Sequence, residues 1–128
     1  MLAQSTSAMN KFLLLLALFV PLQCVAQTDW TPADKSLLAA STALLIIDWG
    51  QTRYIAKNPT RFHELNPILG RHPSIGRVNT YFAGAIIGNY LLADWLGPTN
   101  RKLYLGGITA LETVVVIRNK GIGIKVAF

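Results

Sequence analysis

Four apolar segments alternate with polar segments along the chain. The first covers residues 12–22, and the other three cover about residues 34–56, 75–96 and 100–117. Each of the last three has close to the ~20 residues that a tilted helix needs to cross the hydrocarbon of a bilayer. The pattern therefore predicts an all-α chain, a helical membrane bundle with three transmembrane helices.

Residues 1–26 are predicted to be a cleavable signal peptide. Lys11 precedes the first apolar segment, and small residues follow that segment where a signal peptidase cleaves. Cleavage would leave a transmembrane domain of residues 27–128, and Met9 is an alternative start of the chain. Two other interpretations stay open: Cys24 as a lipoprotein acceptor, and the apolar segment as a fourth span, for which it is short.

The composition agrees with a lipid environment. Charged residues make up 14% of the chain and hydrophobic residues 52%, whereas ordinary soluble domains have about 25% charged residues. Cys24 is the only cysteine, and no motif indicates a cofactor or a metal. A soluble periplasmic helical protein is the remaining alternative, because polar residues dilute each apolar segment.

The basic residues are concentrated between the predicted spans. The net charge is +6, but a nucleic-acid binder gathers its charge in one stripe with aromatic platforms, so no nucleic-acid partner is expected. If the signal exports the mature N-terminus, nine of the twelve basic residues lie in the cytoplasm: Lys11, Arg53, Lys57, Arg61, Arg71, Arg77, Arg118, Lys120 and Lys125. This bias predicts a protein of the bacterial inner (cytoplasmic) membrane with a periplasmic N-terminus and a cytoplasmic C-terminus.

Small residues recur at a spacing of four in each predicted span. The pairs are Ala39 and Ala43, Gly84 and Gly88, and Gly106 and Ala110. Such pairs let helix backbones approach closely in a bilayer. We therefore expect them at the contacts between helices, although glycine and alanine are also simply common in membrane helices.

Two carboxylates, Asp48 and Glu112, interrupt the first and third spans. An ionised carboxylate within a span is costly unless it is paired or protonated. Because these two spans run in the same direction, both side chains are expected at a similar depth in the inner half of the bilayer. With their polar neighbours they define a predicted cluster inside the bundle: Asp48, Gln51, Thr52, Asn89, Thr109 and Glu112.

Three interpretations of this cluster stay open. It can be a hydrogen-bonded contact that fixes helix packing, with at least one carboxyl group protonated. It can handle protons or ions, since neighbouring carboxylates can exchange a proton. It can also be a catalytic or metal site that uses residues of the first loop, but no spacing matches an established metal signature. The candidates for that third interpretation are Asp48, Glu112, His63, Glu64 and His72.

The loop between the first two spans is punctuated by prolines. Glu64, Asn66 and Pro67 are typical of a capped turn with proline in the first helical position. We expect a short interfacial helix here, with basic residues that contact anionic headgroups on the cytoplasmic side. Ser74 is expected to cap the second span.

Four short motifs in this order resemble a family of small, uncharacterised bacterial integral membrane proteins. They are DWGQT at 48–52, ELNPILG at 64–70, PS at 73–74 and RVNTYF at 77–82, and the resemblance covers most of the mature chain. The family has no assigned activity, so the resemblance implies the fold and not the function. It also implies one common site, formed by Asp48, Gln51, Thr52, Glu64, Asn66 and Pro67.

The favoured hypothesis for function is a non-enzymatic accessory or interaction subunit of the inner membrane. Its expected partners are the lipid bilayer and other membrane proteins or further copies of the chain. The opposing hypothesis is an intramembrane enzyme or a proton- or ion-coupled device that uses Asp48 and Glu112. A third hypothesis, a phage-type holin or pore former, is disfavoured by the signal peptide and by the long first loop.

Overall fold

The computed structural model describes residues 30–128, and the predicted signal peptide lies outside this range. The described chain forms three α-helices and no strand: α1 (Pro32–Lys57), α2 (Ile75–Trp95) and α3 (Gly97–Gly121). For residues 30–128, the prediction of an all-α fold with three helices is confirmed. Among the described residues, no helix combines the length and the apolar character that crossing a membrane requires.

Helices α1 and α2 begin where local side chains satisfy their free backbone N–H groups. At the start of α1, Thr31 Oγ1 accepts a hydrogen bond from Asp34 N (3.2 Å), and Asp34 Oδ2 accepts one from Thr31 N (3.0 Å). This reciprocal pair is a capping box. Ser74 Oγ accepts from Arg77 N (3.2 Å), so the predicted cap of α2 is confirmed.

A tight connection joins α2 to α3. Gly97 has a φ of 72°, in the left-handed region that glycine adopts without steric strain. Pro98 follows in the first turn of α3, where its missing N–H has no helical partner to lose. The two helices therefore turn back on each other with almost no intervening loop, and α1 and α3 run in the same direction.

The interior of the bundle is unusually polar. The buried hydrophobic cluster consists of Leu45, Leu69, Val78 and Phe82, with Trp49 packed against it. Seven polar or charged side chains are buried as well: Asp34, Ser41, Gln51, Thr52, Asn89, Arg101 and Asn119.

The outside of the bundle is unusually apolar. Ile87 is 61% exposed, Leu103 72% and Ile117 65%, and the large hydrophobic side chains that are exposed outnumber the hydrophobic ones that are buried. A protein in water normally shows the reverse arrangement and keeps its exposed apolar patches small.

A buried ion pair closes one end of the bundle, where α1 begins and α2 meets α3. Arg101 Nη1 lies 3.5 Å from Asp34 Oδ2, and both side chains are almost completely buried. Arg101 Nε donates to the carbonyl of Ala93 (2.9 Å), and its guanidinium lies 4.3 Å from the centroid of the Trp30 ring. Trp30 Nε1 in turn donates to Asp94 Oδ1 (2.9 Å). We call this group the closed end.

The predicted role of the small residues in packing between the three helices is wrong. A Cβ atom added at Gly84, Gly88 or Gly106 meets nothing within 4 Å, and Ala110 is exposed. On α2 the buried side chains include Phe82, and a residue two positions further lies about half a turn around the helix. The glycines therefore face outward because larger side chains occupy the inward face.

Close backbone approach occurs instead at Gly50. A Cβ there would overlap the side chains of Val126 and Phe128. The chain after α3 folds back onto α1, where Ala127 N donates to the carbonyl of Gly50 (3.0 Å) and Arg53 Nε donates to the carbonyl of Ala127 (3.2 Å). The small residue is thus required for packing of the C-terminal segment.

The predicted interfacial helix in the first loop is also wrong, because residues 58–74 form turns without a helix. Glu64 Oε1 accepts from Leu65 N and Asn66 N (both 2.9 Å), and Asn66 Oδ1 accepts from Ile68 N (2.9 Å). Gly70, with a φ of 79°, ends the turn. Side-chain oxygens thus take the N–H groups that would otherwise start a helix.

Candidate functional site

A pocket of about 710 Å³ lies at the end of the bundle opposite the closed end. Its walls come from the last turns of α1 and α3, the first loop, and α2 near Phe82. Leu45 and Leu69 belong to the apolar part of the lining, and Ile124 of the C-terminal segment adds to it. We call this region the open end.

The structure places the two predicted carboxylates in this one pocket. Asp48 on α1 and Glu112 on α3 both line it. Asp48 Oδ1 accepts a hydrogen bond from Asn119 Nδ2 (3.3 Å), whereas Glu112 Oε2 is buried and has no hydrogen-bond partner. Buried polar atoms without partners are rare in folded proteins, so Glu112 is the unusual group of the pocket.

Two amide side chains connect α1 and α3 behind the carboxylates. Asn119 Nδ2 lies 3.2 Å from Gln51 Oε1, besides its contact with Asp48. Gln51 Nε2 donates to the carbonyl of Val116 (3.2 Å). These bonds fix the side chain of Asp48 and hold the two helices together where the pocket opens between them.

Asn119 was not among the predicted site residues. It lies beyond residue 117, where the apolar pattern of the third span ends, but α3 continues to Gly121. The available signal is spacing, since Asn119 is seven residues after Glu112, which places both on one face of a continuous helix.

The loop motif also reaches the pocket. His63, Glu64, Asn66 and Pro67 all line it, and the structure thus brings the motif together with Asp48 and Thr52. Because Glu64 Oε1 is occupied by two backbone N–H groups, the first contribution of Glu64 is to shape the loop. His72, the other loop histidine, is not part of the pocket lining.

Two members of the predicted cluster lie elsewhere. Asn89 on α2 donates to Ser41 Oγ on α1 (2.9 Å), in a buried layer between the two ends of the bundle. Thr109 Oγ1 donates to the carbonyl of Leu105 on its own helix (2.7 Å). Asn89 therefore contributes to packing between helices, and Thr109 satisfies its hydroxyl locally.

The lining of the pocket carries charges of both signs. Between residues 30 and 128, no three His, Cys, Asp or Glu side chains are placed to share a metal ion. Arg61 and Arg118 line the pocket beside the carboxylates. The guanidinium of Arg61 lies 5.2 Å from the centroid of the Phe62 ring, which keeps it at the pocket by a cation–π contact.

The resemblance of the chain's four motifs to small bacterial membrane proteins stays a prediction. No family model, curated protein or solved structure matches the chain.

Proposed function

We propose that the protein is an integral protein of the bacterial inner membrane that acts as a non-enzymatic accessory or interaction subunit. The observation that carries this proposal is the inverted distribution of side chains. Polar groups such as Asn89 and Arg101 are buried, while Ile87, Leu103 and Ile117 are exposed.

Physical chemistry favours lipid as the solvent of such a surface. Apolar area in contact with water is unfavourable by roughly 25 cal/mol per Å², and a bilayer removes this penalty. Inside a membrane, polar side chains are expected to face the bundle interior and to bond across helices. The bond between Asn89 and Ser41 and the contacts of Gln51 fit that expectation.

The charges support one orientation. Arg53, Lys57, Arg118 and Lys120 belong to the end of the bundle that carries the pocket, and basic residues favour the cytoplasmic side. The open end then faces the cytoplasm and the closed end the periplasm. Basic side chains in this position attract anionic lipid headgroups.

The outward glycines support the role of an interaction subunit. Gly84 and Gly88 lie on the exposed face of α2, where an added Cβ atom would meet nothing within 4 Å. In a bilayer, such a face lets a helix of another membrane protein, or of a second copy, pack closely.

Carbonate extraction of membranes tests the placement. We expect the protein to stay in the pellet, and reporter fusions in the first loop to be on the cytoplasmic side. Release into the supernatant would contradict the proposal.

Co-purification from native membranes tests the partner role. We expect Gly84→Leu with Gly88→Leu to reduce the amount of bound partner. The matched control is Gly106→Leu with Gly107→Leu on the free face of α3, which should keep the α2 partner. A monodisperse, partnerless monomer in nanodiscs would count against a subunit role.

One observation favours a second candidate, a proton- or ion-coupled function. Asp48 and Glu112 line one pocket, and Glu112 Oε2 has no partner. Asp48→Asn and Glu112→Gln separate the alternatives, because an amide replaces a protonated acid in packing but cannot carry a proton. Loss of proton-coupled function with unchanged folding would favour the second candidate.

A further inference from the structure

The acceptor groups of the pocket are incompletely used. Glu112 Oε2 is buried without a donor, and Asp48 Oδ1 accepts a hydrogen bond from the amide of Asn119 at 3.3 Å. An ionised carboxylate has about four acceptor positions. The pocket therefore offers acceptor capacity that a positively charged hydrogen-bond donor would fill.

The carboxylate oxygens of Asp48 and Glu112 determine which kind of cation fits the pocket. A primary ammonium group carries three N–H donors, whereas a quaternary ammonium group carries none and cannot satisfy Glu112 Oε2. A metal ion is less suited, because within residues 30–128 no three metal-ligating side chains come together. A primary amine is the cation that fits the two carboxylates.

The same pocket also has positively charged side chains that can bind a negatively charged group of the ligand. Arg61 and Arg118 line it and are exposed. Guanidinium groups bind phosphate through paired N–H donors. A ligand that carries an ammonium group and a phosphate would thus meet complementary charges at both places.

One wall of the pocket leads out to the apolar surface. Leu111, Val115 and Ile122 line the pocket, and Leu111 and Ile122 are 58% and 52% exposed. This wall would contact acyl chains that leave the pocket toward the hydrocarbon. The volume of about 710 Å³ lies in the usual range for small-molecule sites, about 300–1,000 Å³.

The depth of the pocket is compatible with a headgroup. Helix α1 has 26 residues and is therefore about 39 Å long, longer than the ~30 Å of hydrocarbon. Its last turns extend into the headgroup layer of a bilayer and form part of the pocket. Asp48 lies nine residues before Lys57, about 14 Å along the helix axis, so an ammonium group bound to Asp48 enters the pocket below the headgroup layer.

We infer that the open end binds an aminophospholipid through its phosphoethanolamine headgroup, an inference that rests on the proposed membrane placement. Asp48 and Glu112 hold the ammonium group, Arg61 and Arg118 hold the phosphate, and the wall at Leu111 contacts the acyl chains.

Native mass spectrometry of the full chain, titrated with lipids of matched acyl chains, tests this inference. We expect phosphatidylethanolamine to bind at least about tenfold more tightly than phosphatidylcholine or phosphatidylglycerol, because loss of a charge-assisted hydrogen bond changes affinity by about that factor or more. Equal binding of the three lipids would overturn the inference.

Variants locate the binding. Asp48→Asn with Glu112→Gln should weaken phosphatidylethanolamine binding about tenfold or more, while Asp94→Asn, which removes one carboxylate at the closed end, should leave it unchanged. Glu112→Asp, which keeps the charge, should give an intermediate loss and reports on the site if the double variant folds poorly. Unchanged binding in Glu112→Asp and in the double variant would overturn the assignment.

Two further measurements distinguish binding of the lipid from binding of the free headgroup and from membrane placement alone. Free O-phosphoethanolamine should bind at least a hundredfold more weakly than the lipid, and equal affinity would overturn the lipid assignment. Flotation with liposomes reports on the membrane placement alone. A protein that floats but shows no preference for phosphatidylethanolamine overturns this inference only, whereas a protein that does not float overturns the placement as well.

Discussion

The two ends of the bundle use charged side chains in opposite ways. At the closed end, Arg101 lies within 3.5 Å of Asp34, donates to the carbonyl of Ala93 and faces the ring of Trp30. At the open end, Asp48 and Glu112 border a cavity, and a carboxylate oxygen of Glu112 has no partner. Buried polar atoms without hydrogen-bond partners occur at both ends: Asp34 Oδ1 and Arg101 Nη1 at the closed end, and Glu112 Oε2 at the open end. At the closed end the opposite charges lie against each other within the protein, whereas Glu112 borders a cavity that a ligand can enter.

We therefore propose that the closed end stabilises the fold and that the open end binds a ligand. The closed end joins the start of α1 to the turn between α2 and α3, so it fixes the relative positions of all three helices. At the open end, the amides of Gln51 and Asn119 join α1 to α3, and the walls of the pocket also include the first loop and the C-terminal segment. Substitutions at the two ends should therefore affect different properties.

The largest effect is expected at the closed end. Arg101→Ala removes the hydrogen bond to the carbonyl of Ala93 and the contact with the Trp30 ring as well as the partner of Asp34, and should lower the free energy of unfolding by about 2–4 kcal/mol. Chemical denaturation in detergent measures this loss. Arg118→Ala, an exposed arginine at the open end, is the matched control and should change stability by less than about 0.5 kcal/mol. Equal losses in both variants would remove the distinction between the ends.

A single methyl group added at Gly50 should detach the C-terminal segment from α1. Gly50→Ala places a Cβ against Val126 and Phe128, and overpacking of this kind destabilises by about 1–3 kcal/mol. We expect the segment to detach, so that trypsin cleaves faster after Lys125. Gly107→Ala is the control, since its added Cβ meets nothing within 4 Å. An unchanged cleavage rate in Gly50→Ala would show that the segment does not depend on this contact.

The positions of the helices could be predicted because their signals are local. The predicted spans, 34–56, 75–96 and 100–117, lie within four residues of the observed helix ends. Apolar segments of sufficient length, the hydroxyl of Ser74 and the prolines at the helix starts act on their own neighbours along the chain. The shared location of Asp48 and Glu112 followed from the parallel direction of α1 and α3.

The inward faces of the helices could not be predicted from the sequence. Both faces of each helix carry apolar and small residues, so periodicity does not distinguish the interior from the outside. Gly84 and Gly88 were therefore assigned to the wrong face, and Asn89 to the wrong cluster. The prediction of a helix in the first loop was wrong for another reason. The side chains of Glu64 and Asn66 can cap the start of a helix, or they can accept hydrogen bonds from the backbone of a turn instead.

The turn that forms one wall of the pocket should depend moderately on a single amide. Asn66→Ala removes the acceptor of Ile68 N, at a loss of about 1 kcal/mol for one hydrogen bond. Hydrogen exchange of the amides of residues 68–70 should become faster by about fivefold, while the amides of the closed end keep their rates. Asn58→Ala, at the end of α1, is a control that removes an amide from the same loop without touching this turn. Unchanged exchange would show that Pro67 and Gly70 alone determine the turn.

The smallest effect on the free energy of unfolding is expected for Glu112, whose role differs most from that of Arg101. Glu112→Gln keeps the shape of the side chain and removes its charge, and the altered group has a buried oxygen without a donor. Since no hydrogen bond to that oxygen is lost, we expect the free energy of unfolding to stay within about 0.5 kcal/mol of its original value, or to rise. Chemical denaturation under the same conditions as for Arg101→Ala measures this. A loss above about 1 kcal/mol would mean that Glu112 stabilises the fold as Arg101 does, and that the open end is a structural contact rather than a binding site.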